Sequence, residues 1–216
     1  MSSIAGFFQP HNLFSKENEF CIKTIHNMSK ALMHRGPDEQ SYYYFPQGAF
    51  SQNYLLAGYI PGNFPHHIQP LTRNYQNNTY TLLFDGFISN PETLAIDLEL
   101  IQVSTKDMSL EELILSSFFH KGTSFIKKVR GAFAIAIYNQ NKKVLQLFRD
   151  PLGLRPLFYT EKEQTLVFAS EIKGLFQYPG IDAVLDRIGL IELLSLGPAR
   201  KPGSAIFKNI FENLLK

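Results

Sequence analysis

With 216 residues, 44% of them apolar and 19% charged, and with 19 Phe and 10 Tyr but no Trp, the chain has a globular composition and enough length for one large core. Its 21 Lys and Arg stand against 19 Asp and Glu, a formal charge of +2 that gives no electrostatic case for nucleic acid or an anionic membrane surface. Cys21 is the single cysteine, so an internal disulfide and a cysteine-based metal cluster are excluded and a reducing, cytoplasmic setting is expected; no apolar run reaches the length of a membrane span, and the start lacks a signal-peptide pattern.

Ile4, Phe7 and Phe8 predict a short buried strand almost at the chain start, with Ala5 and Gly6 leaving room for close backbone approach. Ser2 stands just before it. With Met1 removed, Ser2 would carry a free α-amine beside a hydroxyl, the arrangement of an N-terminal nucleophile; the plainer reading is a capped strand preceded by a solvated Ser2-Ser3 pair. Cys21, Ile25, Met28 and Leu32 then recur on one helical face, with Ser15 or Asn18 as the cap and an end near His34, where Gly36-Pro37 breaks the pattern. Tyr42 to Phe45, Ala49 to Gln52 and Tyr54 to Tyr59 read as short strands, and the Pro- and Gly-rich Ile60 to Leu71 as a surface loop.

Thr79 to Phe84 predicts an apolar strand ending at Asp85-Gly86, a pair suited to a tight turn. Asn90 reads as an N-cap, with Pro91 in the first helical position, of a short helix through Leu98, and Ser109 with Glu112 forms a capping box ahead of another that stops at Lys121-Gly122. Two hairpins follow, Ala132 to Tyr138 with Val144 to Arg149, and Pro156 to Thr160 with Thr165 to Ser170. Glu171 to Phe176 reads as a short helix, and Asp186 caps one running to Leu196. The remaining residues, 197–216, show little periodicity and read as a connector, leaving 1–196 as the domain. Strands bunched in this way, with helices between and around them, predict an α+β protein with antiparallel sheets.

Several stretches resemble the glutamine amidotransferase type 2 domain of the glutamine-hydrolysing asparagine synthetase family: the opening Ile4 to Phe8, His34-Arg35-Gly36-Pro37-Asp38, Gln69-Pro70-Leu71, Gly131-Ala132-Phe133-Ala134, Arg149-Asp150 with Gly153 and Pro156 to Tyr159, and Ala169-Ser170-Glu171-Ile172-Lys173. The resemblance implies the N-terminal-nucleophile hydrolase fold, a four-layer αββα sandwich of two antiparallel sheets. It also implies a domain that releases ammonia from glutamine for a following synthetase domain, in cis or in trans, where ATP and magnesium would bind. This chain offers no glycine-rich phosphate loop of its own, so no cofactor is expected in it, and a homodimer is among the assemblies the family allows.

Residue by residue, the resemblance places Ser2 at the position of the family's cysteine nucleophile, a weaker attacking group at neutral pH. Ile60 falls where an Arg grips the substrate carboxylate, a contact worth about 2 to 5 kcal/mol when desolvated. Asp85-Gly86 falls on the oxyanion-hole pair Asn-Gly: losing the side-chain donor costs about a hundredfold or more. An ionised Asp at roughly 4 Å would add about 4 kcal/mol of repulsion at an effective dielectric near 20. Leu110 falls where an Asp holds the substrate ammonium. The expectation is a domain whose glutaminase half is degenerate and which serves a synthetase as scaffold or regulator, with glutamine disfavoured as a ligand. Two alternatives stand beside it: an active amidase using Ser2, which requires loss of Met1, and a working enzyme with an engineered cysteine replacement, which leaves Ile60, Asp85 and Leu110 unexplained. His26, His66, His67 and His120 read as solvated residues with no metal-ligand spacing, so no metal site is expected, and His34 to Asp38 and Arg149-Asp150 read as structural turns.

Overall fold

The computed structural model describes residues 2–11, 14, 18–55, 70–196 and 205–212. Strand β1 (Ser3–Phe8) leads into helix α1 (Glu19–Ala31), whose first turn is capped by Asn18 through bonds from the N–H groups of Phe20 and Cys21. A 3₁₀ turn at Met33–Arg35 follows, then β2 (Glu39–Phe45), β3 (Gly48–Tyr54), β4 (Leu71–Tyr75) and the long β5 (Asn78–Ile88). Helices α2 (Pro91–Glu99) and α3 (Leu110–Lys121) precede β6 (Gly131–Asn139), β7 (Val144–Arg149), β8 (Phe158–Lys162) and β9 (Thr165–Ala169). The described chain closes with α4 (Ile172–Leu175), α5 (Arg187–Leu196) and β10 (Phe211–Glu212). No helix among the described residues is long and apolar enough to cross a membrane.

The strands form two antiparallel sheets, one of six in the order β10-β8-β9-β1-β3-β2 and one of four in the order β4-β5-β6-β7. Alternation along each strand sends its side chains to two different cores. Ile4, Phe8 and Phe50 of the larger sheet meet Leu83, Ala134, Ala136 and Tyr138 of the smaller one between the sheets. Ala5, Phe7 and Val167, on the other face of the larger sheet, pack with Ile25, Met28 and Leu32 of the α1 segment. Leu82, Phe84, Phe133 and Ile135, on the outer face of the smaller sheet, pack with Leu94, Leu98, Leu113 and Ile114 of α2 and α3. The result is the expected αββα sandwich. Gly6 has the close-approach role anticipated for it, since a Cβ there would lie 2.4 Å from the Phe50 ring and 2.9 Å from that of Phe168.

Four local expectations are corrected. Asp85-Gly86 does not end a strand: β5 runs through it to Ile88, paired with β6 from Tyr80 to Ile88. The turn lies instead at Gln76-Asn77, both at positive φ, and joins β5 to β4, a strand that begins at Leu71 where only loop was expected. Asn90 precedes α2 without capping it; its side chain accepts from the Arg130 N–H and donates to the Lys128 carbonyl, tying α2 to the segment before β6. Most of the described tail is docked. Ala205 and Ile210 are buried in the core beside α1, β10 pairs with β8, Thr160 donates to the Asn209 carbonyl at 2.6 Å, and Glu212 forms an ion pair with Arg149. The rest of the connector, most of the Ile60 to Leu71 loop and most of the proposed strand Tyr54 to Tyr59 lie outside the described residues.

Candidate functional site

Strand alternation alone assembles the site. In β1, Ile4 and Phe8 face the gap between the sheets, so Ser2, two positions before Ile4, falls on the same side. In β9, Phe168 faces that gap and Ser170 continues its row; in β5, Leu83 does so and Asp85 follows. Three polar side chains from three strands therefore extend the apolar layer between the sheets by one step.

They bond to one another. Ser2 Oγ donates to Asp85 Oδ1 at 2.8 Å, and Ser170 Oγ donates to Asp85 Oδ2 at 3.1 Å while accepting the Ile4 N–H at 2.9 Å. Two guanidinium groups close the ring: Arg35 lies 3.6 Å from Oδ2 and Arg155 3.7 Å from Oδ1. Asp85 is 0% exposed and the Arg35 and Arg155 side chains only 11% and 18%. Enclosure pushes the Asp85 carboxyl above the usual carboxylate range, against the pull of Arg155, Arg35 and the two serine hydroxyls. On the neighbouring stretch of β5, Gln52 spans the gap, donating to the Phe84 carbonyl and accepting its N–H at 3.2 Å, beyond the point where β4 begins opposite Leu82.

Each arginine is held from behind. Arg35 donates through Nε to the Ser2 carbonyl at 3.1 Å and through Nη1 to Glu171 at 3.1 Å. Glu171 also binds His34 at 2.9 Å and Lys173 at 3.2 Å; burial alone would raise its carboxyl, but bonds from His34, Arg35 and Lys173 outweigh this and lower it. Arg155 rides on a loop fixed by the pair that sequence reading assigned to structure. Asp150 accepts the N–H groups of Leu154 and Arg155, both at 2.9 Å, and Arg149 donates to the carbonyls of Gly153 and Arg155 at 2.6 and 2.9 Å. Arg149 and Asp150 thus act on the loop, the structural role expected of them.

Of the residues expected at a site, Ser2 and Asp85 are brought together. Gly86 is adjacent in β5, at φ +138°, where a Cβ would lie 2.0 Å from the Ala132 carbonyl oxygen, so the strand pairing requires glycine there. Leu110, by contrast, is buried in the core under α2 and α3. Ile60, His66 and His67 lie outside the described residues. Among the described residues no group of His, Cys, Asp or Glu is arranged to hold a metal. Sequence reading did not single out Arg35, Ser170, Glu171 or Arg155 as site groups, although the first three stand inside the motifs that carried the resemblance. The surface grooves at Asn74 to Thr79, about 450 Å³, and between Arg73 and Phe119, about 360 Å³, are lined by none of these groups.

A family model described as a glutamine amidotransferase domain matches residues 1–215. The chain is 33% identical over 190 residues to asparagine synthetase [glutamine-hydrolyzing] 3 of Bacillus subtilis, covering 88% of this chain and 30% of that protein. It is 30% identical over 204 residues to asparagine synthetase [glutamine-hydrolyzing] 1 of the same organism, covering 94% and 31%. The chain therefore spans about a third of the length of these relatives. Among solved structures, the glutamine phosphoribosylpyrophosphate amidotransferase of B. subtilis in complex with ADP and GMP superposes with a TM-score of 0.62 at 18% identity, over 82% of this chain and 43% of that one, a likeness of fold. The chain therefore belongs to the glutamine amidotransferase family, as a type 2 domain of the kind found in the glutamine-hydrolysing asparagine synthetases.

Proposed function

We propose that this domain is the amidotransferase half of an ATP-dependent, amide-forming synthetase, that its glutaminase chemistry is lost, and that it serves the synthetase half, in cis or in trans, as scaffold or regulator. The observation that carries the reading is the bond from Ser2 Oγ to Asp85. An N-terminal nucleophile must be free to lose its proton to the α-amine, and its tetrahedral intermediate must meet hydrogen-bond donors. Here the hydroxyl is committed to a carboxylate, which has no proton to donate when ionised and is itself held by two arginines. Leu110, which the resemblance sets at the ammonium-clamp position, packs in the core and has no charge to offer. ATP and magnesium belong, on this reading, to the synthetase half. The buried Cys21, its thiol pushed up to about 11 by desolvation, is unreactive and suits a reducing cytoplasm.

Isothermal calorimetry with free glutamine tests the reading. With neither charged clamp in place, no saturable heat is expected up to millimolar concentrations. A well-defined micromolar isotherm would overturn it.

A further inference from the structure

We propose that Arg35, Arg155, Ser2 and Ser170 form a receptor for a small carboxylate, and that the chain fills this receptor from within with Asp85. The four groups come from the chain start, the turn after α1, the loop before β8 and the end of β9, and Asp85 is the group on which all four converge, the serines by hydrogen bonds and the arginines as ion pairs. Two of them present hydroxyl protons, at 2.8 and 3.1 Å, and two present guanidinium charge, one toward each oxygen. That is the recognition chemistry of a carboxylate.

The receptor is also built independently of its occupant. Arg155 is aimed by a loop whose N–H and C=O groups are bound by Asp150 and Arg149. Arg35 is anchored by the Ser2 carbonyl and Glu171, and Ser170 by two bonds to Ile4, one to its N–H and one to its carbonyl. None of these supports involves Asp85, so Arg35, Arg155 and Ser170 are preorganised and would keep their places around a free anion, while the Ser2 hydroxyl is held by Asp85 itself. The inference deepens the reading of the closed site: carboxylate recognition persists where amide hydrolysis does not, and in the parent protein a tethered ligand occupies it.

The test is anion rescue of Asp85→Gly, which removes the carboxylate and its methylene and so leaves room for a non-bonded anion. In matched ionic strength, sodium formate should raise the melting midpoint of this variant in a saturable way, by about 3 to 5 °C at ten times its dissociation constant. Acetate should act more weakly and chloride not at all. The parent, already occupied, should respond to formate no more than to chloride, and Asp85→Gly combined with Arg155→Met should lose the formate response. If Asp85→Gly is unfolded in chloride, formate should restore a cooperative melt. A variant whose folding and midpoint are the same in formate and chloride would overturn the proposal, as would an equal formate response in the parent. This outcome is separable from the loss of glutaminase activity: a formate-blind variant leaves glutamine calorimetry on the parent unaffected, and glutamine binding by the parent leaves the formate experiment standing.

Discussion

Replacing Ser2 by Cys supplies the better nucleophile and leaves every other group of the site as it is. On the proposed reading, with Asp85 at the oxyanion position and Ile60 and Leu110 at the clamp positions, the remaining deficit is a side-chain oxyanion donor, about 2.7 to 4 kcal/mol, and at least one charged substrate contact, about 2 kcal/mol or more. Together these amount to roughly 5 kcal/mol, a rate lower by three to four orders of magnitude. The repulsion expected from Asp85 when it is considered alone does not enter this sum, because Arg35 and Arg155 lie 3.6 and 3.7 Å from its oxygens and offset its charge. The new thiol would sit where Ser2 Oγ now lies, against Asp85 Oδ1. Glutamate release from glutamine, followed by a coupled dehydrogenase assay, should be the same for Ser2→Cys and the parent within assay error. Saturable glutamate release by the single variant would refute the argument, because it would show that the oxyanion and clamp positions suffice as they stand.

Two further outcomes follow from the packing and the charges. Ile210 is 3% exposed in the core beside α1, so Ile210→Ala should lower stability by about 2 to 4 kcal/mol in urea denaturation; a change below about 1 kcal/mol would mean that the tail is not docked in solution. The Glu171 carboxyl is lowered in the folded state by His34, Arg35 and Lys173 against its own desolvation. Its stabilising contribution is therefore present at and above the ordinary Glu range near about pH 4.3 and is lost as pH falls through the lowered folded value. The stability difference between parent and Glu171→Gln should accordingly be largest near neutrality and shrink toward zero in acid, read as melting midpoints from pH 7 to pH 2; a difference independent of pH would exclude the linkage.

Much of the fold was legible in local pattern. The α1 face from Cys21 to Leu32, the Ser109-Glu112 capping box and the β6-β7 hairpin are all set by residues close to one another in sequence, and each forms where its pattern lies. The failures share a cause. Leu71 to Tyr75 carries Arg73 and Asn74 and becomes a strand only because β5 offers its edge. Asp85-Gly86 has the composition of a turn, yet nine of the eleven residues of β5 are held straight by pairing with β6, and Gly86 is selected there by close approach rather than by a change of direction. Tail residues without local periodicity dock because β8 has a free edge, and the chain before them gives no sign of it. Tertiary pairing overrides propensity in each case.

The site was legible in its residues but not in its connections. A buried aspartate in the apolar run of β5 demands cations, since an unpaired buried carboxylate would cost several kcal/mol. The sequence offers Arg35, Arg149 and Arg155 within or beside its motifs, at separations of 50 to 70 residues, and nothing local decides among them. The fold decides: Arg149 turns to Glu212 on the tail, while Arg35 and Arg155 turn to Asp85. Position 85 and its two arginines therefore behave as one electrostatic unit. Asparagine at position 85 would offer a side-chain donor but leave two nearly buried guanidinium groups facing a neutral amide, so Asp85→Asn alone should destabilise the fold.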